Sequence, residues 1–476
     1  MVKPRKSLAP WIKDEVEYYD HQIKGVRYLA KRKSFLLGDD MGLGKCLQSL
    51  TVFAIDVFRG WAETCIIVCP ILLKDNWADE IEKFTSFPCV VLEGPPMRRV
   101  KQIMEFDAIQ GPKILITNYE QIQAHLNILN AMNFNVSIFD ESHYMKNPKA
   151  ERTKAGLALK THRSFMLSGT PMLNSVDELW ATLHRIDPKG YPDYYRFVNR
   201  YCVFGGHNGR QVIAVKNEIE LIERLQRVML RRMKEDVLDL PQVQIIERRV
   251  QIHPEQQDLY DKVDEDMVLT TLDGDEDIEY AITKFLRLKQ ICGTTFTFTG
   301  EDVSAKLDLG VQDDMEVIAA GKKVVMFTQF RDTLECYVNR MEAKGVTVYQ
   351  LHGDVPQKNR MPTVRAWSSV KGPAAIACML QVAREGVNLV AAGDINFQDE
   401  LFVPGLNQQA IDRAHRIGAD TTRPVRVRKY IAKGTIENRI QQILRDKKKL
   451  SARIVDSDVN WKRALVKAAL EEDEDD

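Results

Sequence analysis

The chain carries the sequence FLLGDDMGLGKC at residues 35–46, and this stretch decides the fold. Its first three residues are apolar, and a glycine-rich turn begins at Gly38. After the turn, apolar residues return at helical spacing, at Leu47, Leu50, Ala54, Val57 and Phe58. The stretch therefore predicts a buried strand, a loop and a helix in succession.

The loop has the composition of a phosphate-binding site. Gly42 and Gly44 lack side chains, so backbone N–H groups can point at phosphate oxygens beside the positive end of the helix dipole. Lys45 adds a full positive charge for the β- and γ-phosphates. The alternative is an ordinary glycine-rich turn, which the flanking strand and helix disfavour. The residues expected to contact the nucleotide here are Asp40, Met41, Gly42, Leu43, Gly44, Lys45 and Cys46.

One position of this loop departs from the usual pattern. A Ser or Thr hydroxyl normally follows the lysine and binds Mg²⁺, whereas this chain has Cys46. Mg²⁺ is a hard ion that prefers oxygen ligands, and a neutral thiol is a softer and poorer donor. We expect a water to fill that ligand position, and impaired metal binding and hydrolysis is the alternative.

A second nucleotide contact is expected upstream of the loop. The sequence YYDHQ at residues 18–22 opens a helix, and its aromatic residues are suited to stacking on a base. The amide of Gln22 can pair with N6 and N7 of adenine. A surface glutamine on a helix is the alternative interpretation.

Four further apolar runs in the first half of the chain predict buried parallel strands, because they are short and nearly continuous. They lie at residues 65–70, 114–117, 136–139 and 164–167. In a doubly wound sheet the ligands bind at the carboxyl ends of the strands. Asp140 and Glu141 directly follow the third run. Asp140 is expected to hold Mg²⁺ and Glu141 to orient or deprotonate the attacking water, with a solvated turn as the alternative.

The second half of the chain predicts another parallel sheet, from apolar runs at residues 323–328, 346–349, 374–379, 394–398 and 425–430. It has no phosphate-binding loop, so its part in nucleotide chemistry must come from other residues. Arg413 and Arg416 are three residues apart, which places them on one face of a helix. Guanidinium groups from a neighbouring lobe can stabilise a transferring phosphoryl group, and a solvated basic face is the alternative. Between about residues 175 and 300 the strand pattern lapses, and helices are expected.

Length and composition set further limits. A chain of 476 residues predicts two or three domains. Its 67 basic and 67 acidic side chains balance, and the six acidic residues 471–476 leave the remainder mildly basic. Eight cysteines without paired spacing indicate neither a zinc site nor a disulfide framework. We expect an intracellular protein, because the sequence has no signal-peptide pattern and no segment of membrane-spanning length.

Several ordered motifs together resemble the SWI/SNF-type ATPases of helicase superfamily two. They are DMGLGK at 40–45, DESH at 140–143, LSGTP at 167–171, MLRRMKEDVL at 229–238 and the segment QAIDRAHRIG at 409–418. The DESH form and the sequence FVNRYC at 197–202 are similar to the distant branch that includes annealing helicases.

The resemblance implies an α/β fold of two RecA-like, doubly wound parallel-sheet lobes with helical insertions. The implied domains are residues 1–240 with a protrusion at about 175–230, residues 241–450 with a protrusion at about 254–300, and a C-terminal helix and acidic tail at 451–476. ATP and Mg²⁺ are the implied cofactors, and the arginines at 413 and 416 and Gly386 the implied nucleotide contacts of the second lobe. The implied protein is a monomeric motor that tracks double-stranded or branched DNA, in the cytoplasm or, in a eukaryote, in the nucleus.

Three functions remain open from the sequence. The first is an ATP-driven translocase on double-stranded DNA that remodels protein–DNA complexes or branched DNA. The second is a strand-separating DNA or RNA helicase, which the MLRRMKEDVL signature disfavours. The third is a nucleic-acid-binding scaffold whose hydrolysis is impaired by Cys46.

Overall fold

The computed structural model describes residues 8–205, 211–269, 278–383, 387–416 and 418–455. The chain divides into two compact units. The first unit comprises Met1–Leu238 and Lys449–Asp476, and the second comprises Asp239–Lys448. The acidic residues 471–476 and Gly386, both singled out from the sequence, lie outside the described residues.

The first unit is built on a parallel sheet. Its strands are β1 (Phe35–Leu37), β2 (Thr64–Cys69), β3 (Cys89–Val91), β4 (Lys113–Asn118), β5 (Val136–Phe139), β6 (Arg163–Leu167) and β9 (Met229–Leu230). In the described part of this unit they pair in the order β3-β4-β2-β5-β6-β1-β9. An antiparallel hairpin of β7 (Cys202–Gly205) and β8 (Gln211–Val215) is separate from it.

Helices cover both faces of this sheet. They are α1 (Asp20–Leu29), α2 (Lys45–Phe58), α3 (Lys74–Phe84), α4 (Pro96–Ala108), α5 (Tyr119–Ala131), α6 (Glu151–Ala158), α7 (Trp180–Ile186), α8 (Tyr194–Tyr201), α9 (Glu218–Val228) and α10 (Lys234–Val237). Successive strand residues point to opposite faces, so Phe35 and Leu37 pack in one apolar core while Leu36 packs in the other. Burial on both faces explains why these strands are apolar throughout.

The second unit has its own parallel sheet. Its strands are β10 (Val243–Val250), β11 (Val324–Thr328), β12 (Val348–Leu351), β13 (Ala375–Met379), β14 (Asp394–Phe397) and β15 (Val425–Ala432). In the described part of this unit their order is β10-β15-β14-β11-β13-β12. The helices are α11 (Pro254–Leu269), α12 (Ile278–Gly293), α13 (Phe296–Thr299), α14 (Ala305–Ala319), α15 (Arg331–Glu342), α16 (Gln357–Ser369), α17 (Leu380–Ala383), α18 (Pro404–Ile411) and α19 (Ile436–Ile454), of which the residues from Lys449 onward belong to the first unit.

The predicted fold class, two parallel-sheet α/β lobes with helical insertions, is confirmed. One local expectation needs correction, because the hairpin β7–β8 and the strands β9 and β10 lie between about residues 175 and 300, where the sequence analysis predicts helices. Residues of high strand propensity account for the hairpin, since Val203, Val212 and Ile213 are β-branched. Among the described residues, no helix is both long enough and apolar enough to cross a membrane.

Candidate nucleotide site

The phosphate-binding loop, residues 38–46, connects β1 to α2. Gly44 caps the helix with φ of 76°, and Gly42 has φ of 88°, a region of backbone space that favours glycine. A Cβ atom at Gly44 would lie 2.3 Å from Nε2 of Gln22, so a larger residue there would displace the Gln22 side chain. The loop thus leaves backbone N–H groups at the start of a helix of 14 residues, where an anion is favoured.

Lys45 lies at the first position of α2 and folds back over its own loop. Its Nζ donates hydrogen bonds to the carbonyl oxygens of Asp39, at 2.8 Å, and Asp40, at 3.2 Å. Gly169, in the loop after β6, is close to it, because a Cβ atom there would lie 3.5 Å from the lysine Nζ and 2.9 Å from Cγ of Met41. The ammonium group is therefore held at the carboxyl edge of the sheet, where the phosphates are expected.

Gln22 is brought to the loop from helix α1. Its Nε2 donates to the carbonyl of Leu43 at 3.3 Å, and its Oε1 accepts from the backbone N–H of Tyr19 at 3.0 Å. The ring of Tyr19 is partly exposed and stacks on His21 with centroids 5.7 Å apart. Both ends of the Gln22 amide thus have protein partners, and its pairing with adenine stays a prediction.

The two carboxylates Asp140 and Glu141 follow β5, which is separated from β1 only by β6. Because these strands are parallel, both carboxylates lie at the same sheet edge as the phosphate-binding loop. Asp140 is buried; its Oδ2 accepts from Nε1 of Trp77 at 2.9 Å and its Oδ1 from the Glu141 N–H at 3.0 Å. Burial, followed by the charge of Glu141, raises the pKa of Asp140 to about 6.

Glu141 has an unusual backbone and a polar environment. Its φ of 48° is in the left-handed region, which is strained for a side chain of this kind. Its Oε2 lies 3.3 Å from Nδ1 of His143 and accepts from Oγ of Ser168 at 3.5 Å. Ser168 also contacts the same imidazole nitrogen at 3.1 Å. The carboxylate is thereby held in one orientation beside the loop after β6.

Cys46 packs its side chain, only partly exposed, against an apolar core of the first unit. Burial, followed by the charge of Asp140, raises the pKa of its thiol well above the ordinary value, so the group is a neutral thiol. A Mg²⁺ ion requires oxygen donors, and it commonly binds one or two carboxylates together with substrate phosphates. Asp140 fits such a metal, and the thiol of Cys46 does not.

The arginines Arg413 and Arg416 belong to the second unit and are both partly buried. The expectation that both project from one helix face is wrong, since α18 ends at Ile411 and the chain continues in tighter turns. The N–H groups of Arg413 and Ala414 bond to carbonyls three residues back, and two tertiary bonds hold this segment. The carbonyl of Arg413 accepts from the N–H of Leu389 at 2.9 Å, and Nε2 of His415 is 2.7 Å from the carbonyl of Pro241.

Sequence reasoning missed three side chains at this site, namely Trp77, Arg231 and Arg232. Trp77 contacts Asp140 from helix α3, and both arginines contact the phosphate-binding loop from the segment after β9. A single tryptophan within the largely charged sequence KDNWADEIEKF was the available signal for the first. The MLRRMKEDVL signature contained the arginines, but nothing in it showed which loop they contact.

In the first unit, a phosphate-binding loop follows one parallel strand and two carboxylates follow a nearby one. This arrangement defines a nucleoside-triphosphate-binding α/β protein. Residues 21–296 match the SNF2-related domain, and residues 311–418 match the helicase conserved C-terminal domain. The first match alone covers more than half of the chain. The chain therefore belongs to the SNF2-related family, the SWI/SNF-type ATPases of helicase superfamily two, which use ATP.

Relatives of this family are similar along nearly the whole chain. An uncharacterized ATP-dependent helicase of Mycoplasma genitalium is 27% identical over 94% of this chain and 43% of its own length. YwqA of Bacillus subtilis, named as a candidate ATP-dependent helicase/translocase, is 29% identical over 98% of this chain and 52% of its own length. The chain thus spans about half the length of these curated relatives.

Among solved structures, the SWI2/SNF2 ATPase core of Sulfolobus solfataricus in complex with double-stranded DNA is 26% identical to this chain. The comparison covers 97% of this chain and 96% of that one, with a TM-score of 0.45.

Proposed function

We propose that this protein hydrolyses ATP to translocate along double-stranded DNA, and that it thereby remodels protein–DNA complexes or branched DNA. The observation that supports ATP hydrolysis is that Lys45, Asp140 and Glu141 all lie at one edge of the first sheet. This arrangement combines a charge for phosphates with carboxylates for a metal and a water. Two lobes at about residues 1–240 and 241–450 are part of the same proposal.

Each side chain has a separate part in the proposed reaction. Lys45 and the loop N–H groups bind the phosphates, and Gln22 selects adenine. Glu141 orients the attacking water and accepts its proton. Arg413 and Arg416 stabilise charge on the transferring phosphoryl group. Asp140 would hold Mg²⁺, which when bound neutralises charge on the phosphate oxygens.

Double-stranded DNA is proposed as the substrate of translocation because of the family and the names of relatives. YwqA carries the name of a helicase/translocase, and a human relative, 26% identical over 92% of this chain, is named TATA-binding protein-associated factor 172. A motor of this kind contacts mainly phosphates, so its binding is independent of base sequence. We propose a monomeric motor that is associated with DNA in the cell.

An ATPase assay against a panel of nucleic acids tests the proposal. Duplex DNA, forks and four-way junctions should stimulate turnover, and single strands and RNA should stimulate it much less. If about five phosphates are neutralised, the logarithm of DNA affinity should fall with the logarithm of salt with a slope of about −4 to −5. Equal stimulation by RNA would favour a helicase of another branch, and a flat salt response would contradict backbone tracking.

One observation favours a second candidate, a nucleic-acid-binding scaffold whose ATP hydrolysis is impaired. Cys46 is a neutral thiol where a metal-binding hydroxyl is usual. The same assay separates the two, since the scaffold would bind ATP and DNA without turnover.

A further inference from the structure

Arg232 follows β9, the strand that pairs with β1, and its side chain binds Asp39 at the start of the phosphate-binding loop. Its Nε donates to Oδ1 of Asp39 at 3.0 Å, and its Nη2 donates to the other carboxylate oxygen and, at 2.7 Å, to Oε1 of Gln48. Its Nη1 donates to the carbonyl of His21. Asp39 is completely buried. One guanidinium group thus joins the loop to helices α1 and α2.

Arg231 binds the same loop on another side. It forms an ion pair with Asp40 at 3.1 Å, and its Nη1 donates to the carbonyl of Gly169 at 2.8 Å and to that of Gly38. Gly169 directly follows Ser168, which contacts Glu141. Arg231 therefore holds the phosphate-binding loop against the loop that orients the catalytic carboxylate.

The main chain of this segment reinforces both arginines. Leu230 pairs with Leu37 in the parallel ladder, and its carbonyl accepts from the N–H of Gly38 at 2.8 Å. The carbonyl of Arg232 accepts from the N–H of Asp40 at 3.0 Å. The hydrogen bonding between β1 and β9 therefore continues beyond the two strands, as far as Asp40 and Arg232.

We propose that Arg231 and Arg232 are positioning residues that hold the phosphate-binding loop in its nucleotide-binding conformation. A planar guanidinium makes several directed hydrogen bonds at once, and a lysine ammonium cannot reproduce them. Without them the loop N–H groups and Lys45 lose their fixed arrangement, and binding of any nucleotide with a β-phosphate weakens. The inference rests on the proposed function of this loop as the ATP site.

The test compares Arg231→Lys and Arg232→Lys with Arg227→Lys in the full chain. Arg227 is exposed on α9 of the same segment, so its variant is a matched control. The probe is N-methylanthraniloyl-ADP, whose affinity is measured at equilibrium without hydrolysis. We expect each of the first two variants to bind it on the order of tenfold more weakly, and the control to match the parent. Parent-like affinity in both would overturn the inference.

Hydrogen–deuterium exchange of the nucleotide-free protein provides the second readout. Peptides that cover residues 38–46 should exchange faster in both variants, while peptides from β4 and β5 exchange as in the parent. Equal acceleration throughout the first unit would show a general loss of stability and overturn the positioning role. If Arg232→Lys does not fold, Asp39→Asn removes the same ion pair from the other partner and should give the same local acceleration.

These readouts separate the inference from the proposed function. A parent protein that binds ADP but does not hydrolyse ATP with DNA would refute the proposed function, and the affinities would still test the arginines. A parent that hydrolyses ATP, with variants that bind nucleotide as the control does, would refute the inference alone. If the parent binds no nucleotide, the exchange comparison still decides whether the arginines hold the loop.

Discussion

The indole Nε1 of Trp77 donates a hydrogen bond of 2.9 Å to Oδ2 of Asp140, a residue 63 positions later in the chain. The other carboxylate oxygen accepts from the backbone N–H of Glu141, and the carbonyl of Asp140 accepts from the hydroxyl of Tyr119 at 2.8 Å. Trp77 is completely buried. The carboxylate proposed to hold the metal is therefore oriented by a donor on each oxygen, as carboxylate ligands commonly are.

Trp77→Phe should raise the Mg²⁺ concentration that gives half-maximal ATPase activity several-fold. The substitution removes the N–H that orients Asp140 and keeps an aromatic ring, so we expect the free energy of unfolding to fall by about 1–3 kcal/mol. The measurements are ATPase rates over a Mg²⁺ series and urea unfolding. Trp61→Phe, at a residue 61% exposed, is the control and should change neither quantity. A parent-like Mg²⁺ dependence in Trp77→Phe would remove its orienting role.

Lys45→Ala and Glu141→Gln should separate nucleotide binding from hydrolysis. The lysine variant loses a charge-assisted contact of about 1.5–3 kcal/mol, and its affinity for ATP should fall roughly tenfold to a hundredfold. The glutamine variant keeps the binding contacts, so its affinity should stay near that of the parent while kcat falls by about 10² to 10⁴. Equilibrium titration and steady-state kinetics measure the two effects. Hydrolysis at the parent rate by Glu141→Gln would mean that another group activates the water.

Cys46→Thr should lower the Mg²⁺ concentration for half-maximal activity, because it restores a hydroxyl oxygen where the parent has a neutral thiol. Mn²⁺ is softer than Mg²⁺ and should help the parent more than the variant. Cys46→Ala is the matched control, since it removes the thiol without adding a hydroxyl, and it should resemble the parent. If the threonine variant shows both metal dependences unchanged, the missing hydroxyl has no effect on the metal.

Arg185→Ala should destabilise the first unit by about 2–3 kcal/mol, because it removes several charge-assisted hydrogen bonds. The guanidinium donates to Oγ of Ser164 at 2.9 Å and to Oγ1 of Thr161 at 2.7 Å, as well as to the carbonyl of Leu159. Burial lowers the pKa of Arg185 to about 10, so it stays charged at neutral pH.

Urea unfolding of the Arg185 variant measures this loss. Arg196→Ala, at an exposed arginine of α8, should change the free energy of unfolding by less than about 0.5 kcal/mol. Similar stabilities of the two variants would show that the hydrogen bonds of Arg185 are replaced by water.

Local patterns in the sequence were sufficient for most of the fold. The apolar run at residues 35–37, the glycine loop and the helix after it are contiguous, and each depends on neighbours within a few positions. The same holds for the strands that precede Asp140 and Gly169, since continuous apolar runs identify strands buried on both faces. The strands β3, β9 and β10 were not predicted. The first two have only three and two residues and, unlike β1, are not followed by a phosphate-binding loop, and β10 is mostly exposed rather than a continuous apolar run.

The sequence by itself determined which residues are proposed to carry chemistry at the candidate site, because Lys45, Asp140 and Glu141 follow strands whose carboxyl ends share one edge. Only the tertiary structure decided what holds them there. Arg232 lies 193 positions from Asp39, and such pairings depend on how the strands are ordered in the sheet. It also decided that α18 ends before Arg413, whose carbonyl accepts from the N–H of Leu389. Periodicity and spacing report only on neighbours along the chain, and these contacts are made between segments that meet after folding.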